Sequence, residues 1–422
     1  MKNRFIVILL MCALLTTMAC ANPYQEHIKQ GDAYFNQAKW DEAILEYSQA
    51  IELKPELALA YSHRGWTYAT KEDLDKALSD LNRAIELEPT LVEAYNYRAS
   101  VYVTQGKWDL AIADLDKAIE LDPKLALSYS HRGWAYATKG DFDKALSDLN
   151  KAIELDPELA EAYYNRGLVY SSQQQWDKAI TEFSQVIELD PTDFTAYNDR
   201  AAAYANLGEL DLAITDLNKA IEIMPGYVIA YYSRGLVHKE QMQWDAAIAD
   251  FSKAIELDPG AALAKKELDT VEYFLKARDY ATEGQWDLAI AELDKAVELD
   301  PNFAMAYSFR GFLHNQQQQW ELGIADLDRA IELDPNFAPS YNNRGWAYSN
   351  MVQLEKAIAD YTKAIELDPD YALAYYNRGI NYYQNGQVEL AIADFKKVIQ
   401  TSVDSDLIAA ANDRIAEIQS QK

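Results

Sequence analysis

The sequence predicts an all-α solenoid of eleven helix-turn-helix repeats followed by a C-terminal capping helix. Three observations carry that expectation. Prolines stand 34 residues apart at Pro55, Pro89, Pro123, Pro157, Pro191, Pro225 and Pro259, and the period resumes at Pro301, Pro335 and Pro369. Self-similarity at this spacing marks one supersecondary unit stacked many times. Each proline closes a version of the phrase AIELDP, as at 118–123 and 364–369, and small residues recur at fixed places between the prolines.

With the proline numbered 32, repeats begin at residues 24, 58, 92, 126, 160, 194, 228, 270, 304, 338 and 372, the last carrying Val403 instead of proline. Helix A is expected over positions 2–14 and helix B over 18–30, with polar turns such as 173–175 and 315–319 between them. Position 8 is Gly in eight repeats and Ala in three. A mid-helix Gly costs about 1 kcal/mol relative to Ala, so its recurrence implies close approach of another helix. Position 20 is Ala except for Gly323, position 27 is Ala or Val, and large residues at 11 and 24 are placed to fill the space beside them. Proline ends helix B because the residue before it resists helical dihedrals.

Taken together, Trp or Leu at 17, Gly at 8, Tyr at 11, Ala at 20, Leu or an aromatic at 24, Ala at 27 and Pro at 32 resemble the tetratricopeptide repeat (TPR) family. His238 and the pair Leu313–His314 depart from the pattern at the aromatic position. The resemblance implies a right-handed superhelix, a concave groove lined by helices A, and a role in binding proteins rather than in catalysis.

A second ladder runs inside the repeats. Position 7 is Arg in nine repeats and Lys276 in the eighth, and position 23 is acidic in all eleven. Arg–carboxylate pairing between these rows is expected, since a planar guanidinium suits a bidentate contact. Exposed pairs contribute only about 0–1 kcal/mol each, so the ladder is expected to set register.

The chain divides as a signal over 1–19, repeats one to seven over 24–259, an insertion over 260–269, repeats eight to eleven over 270–403, and a capping helix with tail over 404–422. The insertion joins a helical run that would lengthen helix A of repeat eight. It forms either a hinge or a projecting helix in a continuous stack, the latter being the expectation. Lys265, Lys266, Lys276 and Arg278 make a basic island there, most simply read as a solvated helix face. In the capping helix Leu407, Ile408, Ala411, Ile415 and Ile418 should face inward, since a solenoid needs a polar-faced cap.

At the N-terminus two cations precede the apolar run 5–15, and Thr16-Thr17-Met18-Ala19-Cys20 follows. This is a secretory signal. It resembles a bacterial lipoprotein signal, which implies cleavage before Cys20 and lipidation of that cysteine, although Thr17 stands where such signals usually have Leu. Cleavage after Ala21 by an ordinary signal peptidase, or an uncleaved anchor, are the alternatives. Cys12 is the only other cysteine and lies within the signal, so the repeats hold no thiol and no disulfide. The expected location is the cell envelope, lipid-anchored on the periplasmic or extracellular face, with secretion as the alternative.

A net charge of −28 argues against nucleic acid, which needs a basic surface, and against anionic lipid, so the membrane enters only through the N-terminal anchor. No phosphate loop, zinc spacing or nucleophile motif occurs, and no cofactor, metal or catalytic residue is assigned. The expected partners are other envelope proteins or peptides.

Helical geometry puts positions 2, 5, 6, 9, 12 and 13 opposite the core stripe of helix A, on the expected groove side. Asn165, Asn343 and Asn377 sit at position 6, where an amide can donate to and accept from a peptide backbone. Trp66, Trp134 and Trp346 occupy position 9, and Tyr164 and Tyr376 position 5. These eight residues are the candidate binding set, as aromatics are enriched at interface hot spots. Packing against a neighbouring helix A is the equal alternative for the aromatics. Lys29 is the only Lys or Arg at positions 2, 5 and 6, which excludes a clamp for acidic C-termini. His63 and His131 share position 6 two repeats apart, too distant for one metal. The other six tryptophans stand at position 17 and are expected in the core. The function that follows is a non-catalytic envelope scaffold or adaptor. Binding of cell-wall glycan, through aromatic stacking on sugar rings, is the alternative.

Overall fold

The computed structural model describes residues 22–420, and every regular element among them is an α-helix. The signal over 1–19 and Cys20 lie outside the described residues. The chain forms two compact units that divide between Pro225 and Gly226. Repeats one to six occupy the first; repeats seven to eleven and the closing helix Ser405–Ser420 occupy the second. Within each unit helix A packs against helix B of its own repeat and against the helices on either side.

Helices begin about one residue earlier than the sequence periodicity suggests. In repeat five helix A is Ala160–Ser172 and helix B is Trp176–Leu189, positions 1–13 and 17–30. The turn between them is the reason. Position 15 is left-handed in all eleven repeats, five times as Gly and six times as another residue, such as Glu72, Gln174 and Val352. The next backbone N–H reaches back to the carbonyl of position 11, as in Gln175 to Tyr170 and Gln353 to Tyr348, satisfying a helix-end carbonyl. The polar runs at these turns therefore close a defined motif.

AIELDP also has a local cause. In each of the seven repeats with Asp at position 31, its Oδ1 accepts the backbone N–H two residues on, across the proline. That Asp–Pro turn ends helix B and aims the chain into the next helix A.

The expected close approach of helices A and B is present. A Cβ at Gly167 would lie 2.7 Å from the Phe183 ring, and one at Gly235 2.6 Å from Phe251. Position 24 residues Leu81, Leu149, Phe183, Phe251 and Phe395 are each buried against the position 8 glycine of their own repeat. Wherever position 24 is aromatic, position 8 is Gly; Ala99, Ala201 and Ala277 each face Leu. Gly323, the exception at position 20, has its own cause: a Cβ there would meet Oδ1 of the buried Asn315.

The Arg–acid ladder forms within repeats. In eight of them Nε and Nη2 grip both oxygens of Asp at 2.6–2.9 Å, as in Arg132–Asp148 and Arg344–Asp360. These carboxylates are buried, so the ladder is part of the interior rather than a row of surface pairs. The third guanidinium nitrogen crosses to the preceding repeat, where position 25 supplies an acceptor: Ser48 for Arg64, Asp116 for Arg132, Asp328 for Arg344, Thr362 for Arg378. A tyrosine at position 4 lies against each guanidinium, as Tyr129 does at 5.6 Å from Arg132. Each arginine thus joins two helices B.

The position 17 tryptophans differ from expectation. All six are only partly buried. Trp108 packs against the cluster that Trp134 also covers and Trp320 meets Trp346, because the Gly–Ala contact leaves no room for an indole in the centre.

In the second unit the extra residues lengthen helix A of repeat eight to Ala262–Thr282. Lys239 fastens it. Its ammonium, almost withdrawn from solvent, reaches Glu267 at 2.7 Å and Asp300 at 2.9 Å and lies 4.6 Å from the Phe303 ring. Lys265, Lys266, Lys276 and Arg278 are exposed. The closing helix buries Ala411 and Ile418 and packs Leu407 and Ile415 against Phe395.

Candidate functional site

The candidate residues fall into two groups, Trp66, Trp134, Tyr164 and Asn165 in the first unit and Asn343, Trp346, Tyr376 and Asn377 in the second. Each lies on a helix A, at positions held by the Gly–Ala contact behind it.

In the first unit the polar groups of neighbouring helices A are bonded to one another. Asn165 Nδ2 donates to Ser130 Oγ at 3.2 Å, and Ser130 donates to Glu161 at 3.2 Å. His131 Nε2 lies 3.3 Å from the same Glu161 oxygen. Burial works to raise the Glu161 pKa, but the bonds and charge from His131, with Ser130 and Asn165, hold it below the usual carboxylate range. Tyr164 Oη donates to Asp199 at 2.6 Å. Burial outweighs that bond and the one from Asn198, so the Asp199 carboxyl sits above its ordinary range. Trp66 stacks flat on Tyr97 with ring centroids 4.8 Å apart, and Trp134 packs against the buried cluster of Ala99, Leu115 and Ala135.

The second unit shows the same habit. Asn377 Nδ2 donates to Asn342 Oδ1 at 3.1 Å, and the Asn343 carbonyl accepts from Asn315 at 2.9 Å. Trp346 meets Trp320 edge-on at 5.7 Å and leans on Phe312. Tyr376 packs against Phe395 in the cluster that the closing helix completes. Among the eight candidates the Asn343 amide nitrogen has no hydrogen-bond partner among the described residues, whereas those of Asn165 and Asn377 are engaged between repeats. The aromatics remain partly exposed while bracing their neighbours.

One feature of the first unit was not among the candidates. Between the helices A of the first repeats lies a cleft of about 330 Å³ lined by Asp32, Phe35, Asn36, Tyr47, His63, Trp66 and Tyr97. Tyr47 Oη and His63 Nδ1 both donate to Asp32 Oδ1 at 2.8 Å. Burial would raise the Asp32 pKa, but those two bonds and the nearby imidazole bring it below the usual range, so the group is an anion at neutral pH. The signal was present in the sequence: Asp32 is the one acid at position 9 in eleven repeats.

Comparison with known proteins agrees with the geometry. The chain matches the TPR repeat family over 31–72, 99–140, 133–174, 168–208, 205–242, 277–318 and 353–386. Related tetratricopeptide repeat families match over 58–91, 228–260, 327–359 and 372–402. No curated protein matches the chain. Solved structures do. A tetratricopeptide repeat protein from Parabacteroides merdae is 20% identical, covers 60% of this chain and 100% of its own, and superposes with a TM-score of 0.47. MamA is 31% identical over 39% of this chain and 96% of its own, with a TM-score of 0.36. YrrB, described as a TPR protein with an unusual peptide-binding site, is 26% identical over 44% of this chain and 97% of its own, with a TM-score of 0.34.

Proposed function

The chain belongs to the tetratricopeptide repeat family, whose fold is in general a non-catalytic scaffold for binding other proteins, and from that premise we propose an adaptor of the cell envelope. It is tethered by a lipid on Cys20 and holds segments of other envelope proteins along its helices A. The observation that carries the reading is the contrast between the two sides of each helix A. One side is sealed by the Gly–Ala contact; the other presents partly exposed Trp66, Trp134 and Trp346 among polar groups that include the acids Asp32, Glu161 and Asp199, with Lys29 the only Lys or Arg at positions 2, 5 and 6. Large amphipathic rings on a rigid frame offer contact area at little entropic cost.

The bonding pattern refines which groups meet a ligand. Asn343 has donor capacity to spare; Asn165 and Asn377 shape the wall through Ser130 and Asn342. Ligand contact therefore falls mainly on the aromatics and Asn343. Envelope cross-linking followed by mass spectrometry tests this, comparing the parent with Trp66→Leu, Trp134→Leu, Asn343→Ala and Trp346→Leu. Loss of particular partners from folded variants supports the adaptor. A partner list unchanged by all four moves the binding surface off helix A. Replacing Cys20 with Ala is expected to release the protein from the membrane fraction; retention there removes the lipid anchor from the proposal.

A further inference from the structure

We propose that the cleft formed by Asp32, Phe35, Tyr47, His63, Trp66 and Tyr97 is a receptor for a lysine side chain of the bound protein segment. The inference rests on the adaptor reading and names the chemistry of one anchor point within it.

Phe35, Trp66 and Tyr97 supply partly exposed aromatic walls, Asp32 is an anion, and neither Lys nor Arg lines the cleft. An ammonium ion over aromatic faces is attracted by their quadrupoles, and the attraction grows as water is excluded. The apolar stem of lysine suits the ring walls while its charged head reaches a polar end. Here that end is Asp32, whose side chain remains 43% exposed.

The bonding of Asp32 selects lysine over arginine. Tyr47 and His63 both occupy Oδ1, which leaves Oδ2 without a hydrogen-bond partner among the described residues. A guanidinium is at its best when its fork meets two parallel acceptors. A single remaining oxygen favours a compact point charge with rotatable donors, which is the ammonium of lysine. The two donors also fix the carboxylate in place, and Tyr47 is itself buried against Gly31. Trp66 is held by its stack on Tyr97. Anion and wall are thus rigid before the ligand arrives, which reduces the ordering cost of binding. Elsewhere position 9 is apolar, small or basic, so the receptor occurs once.

The test uses the full chain and a labelled Gly/Ser peptide bearing spaced lysines, titrated by fluorescence anisotropy at physiological ionic strength. Two further peptides replace lysine with arginine or with norleucine, which keeps the stem and removes the charge. Asp32→Asn is expected to weaken the lysine peptide about tenfold, with Trp66→Leu weakening it several-fold. Glu283→Gln, an exposed change of equal charge, should alter it less than about twofold. The norleucine peptide should lose its binding and the arginine peptide should bind several-fold more weakly than lysine. Circular dichroism melts confirm that each variant is folded. Equal binding by Asp32→Asn and Glu283→Gln, or arginine binding at least as tightly as lysine, overturns the inference. If the lysine peptide does not bind the parent while envelope partners are still captured through helix A, the receptor fails and the adaptor stands. Loss of both removes both.

Discussion

At the scale of the residue, the arginine ladder shows how one atom changes an interaction. Eight repeats use Asp at position 23 and obtain a forked pair; Arg166 faces Glu182 and makes one bond, leaving its buried Nε without a partner. The extra methylene of Glu carries one oxygen out of the fork. Glu182→Asp should therefore raise stability by about 1 kcal/mol, read as a higher denaturation midpoint with unchanged m-value. A midpoint that stays or falls shows that the fork needs more than side-chain length. Asp199 gives a second case. Its pKa is raised in the folded protein, so the folded state holds a proton that the unfolded state releases first. Stability is then lost as pH rises from the ordinary Asp range through the raised value. Asp199→Asn keeps an acceptor for Tyr164 and removes that cost. The gap by which the variant melts above the parent should widen as pH rises through the raised value and close as the solution is acidified below the ordinary Asp value. An equal melting temperature throughout places Asp199 in a solvated setting.

At the scale of the element, the eleven repeats act as parallel trials of one design. Aromatic residues at position 24 occur only with Gly at position 8, while Leu accompanies either Gly or Ala. The clash distances explain it, since the ring reaches where a Cβ would stand. Gly235→Ala should cost about 1–3 kcal/mol by overpacking, despite the better helix propensity of Ala. Adding Phe251→Leu recreates the pair found at Ala99 and Leu115, so the double variant should be more stable than the two single losses predict. Strict additivity in chemical denaturation would mean the ring simply rotates away. How much of this was legible in the sequence depends on the span of the contact. The Gly–Ala pattern, the turn prolines and the Arg–Asp rows repeat within 34 residues and could be read from the period. The acceptor row at position 25 and the tyrosines at position 4 were equally regular in the sequence but lacked an evident partner. Their meaning depends on a guanidinium that reaches both its own helix B and the one before it.

At the scale of the whole molecule, stability in each unit is a sum over repeats and the seams between neighbours. A change in one repeat should therefore be felt locally. In the Gly235→Ala variant, hydrogen exchange should quicken in repeats seven and eight, within 228–303, and leave the amides of the last two repeats, 338–403, near parental rates. Uniform quickening across the second unit would show that it opens as one body. The closing helix contributes to the same additive scheme by covering Phe395 and Val398, which would otherwise face water as the open end of the stack.

By itself the sequence determined the repeat: its length, its two helices, the glycine at their crossing and the proline at its end. Those features follow from forces within one unit, and eleven copies state them repeatedly. Only the tertiary structure decided what the side chains on helices A are free to do. Asn165 and Asn377 looked equivalent to Asn343, yet two amides are bonded to residues 35 positions earlier and the third is not. Asp32 and His63 are 31 residues apart, and Tyr47 joins them from a third helix. Whether such groups meet is set by how one repeat stacks on the next, a distance that no periodicity within a single repeat encodes.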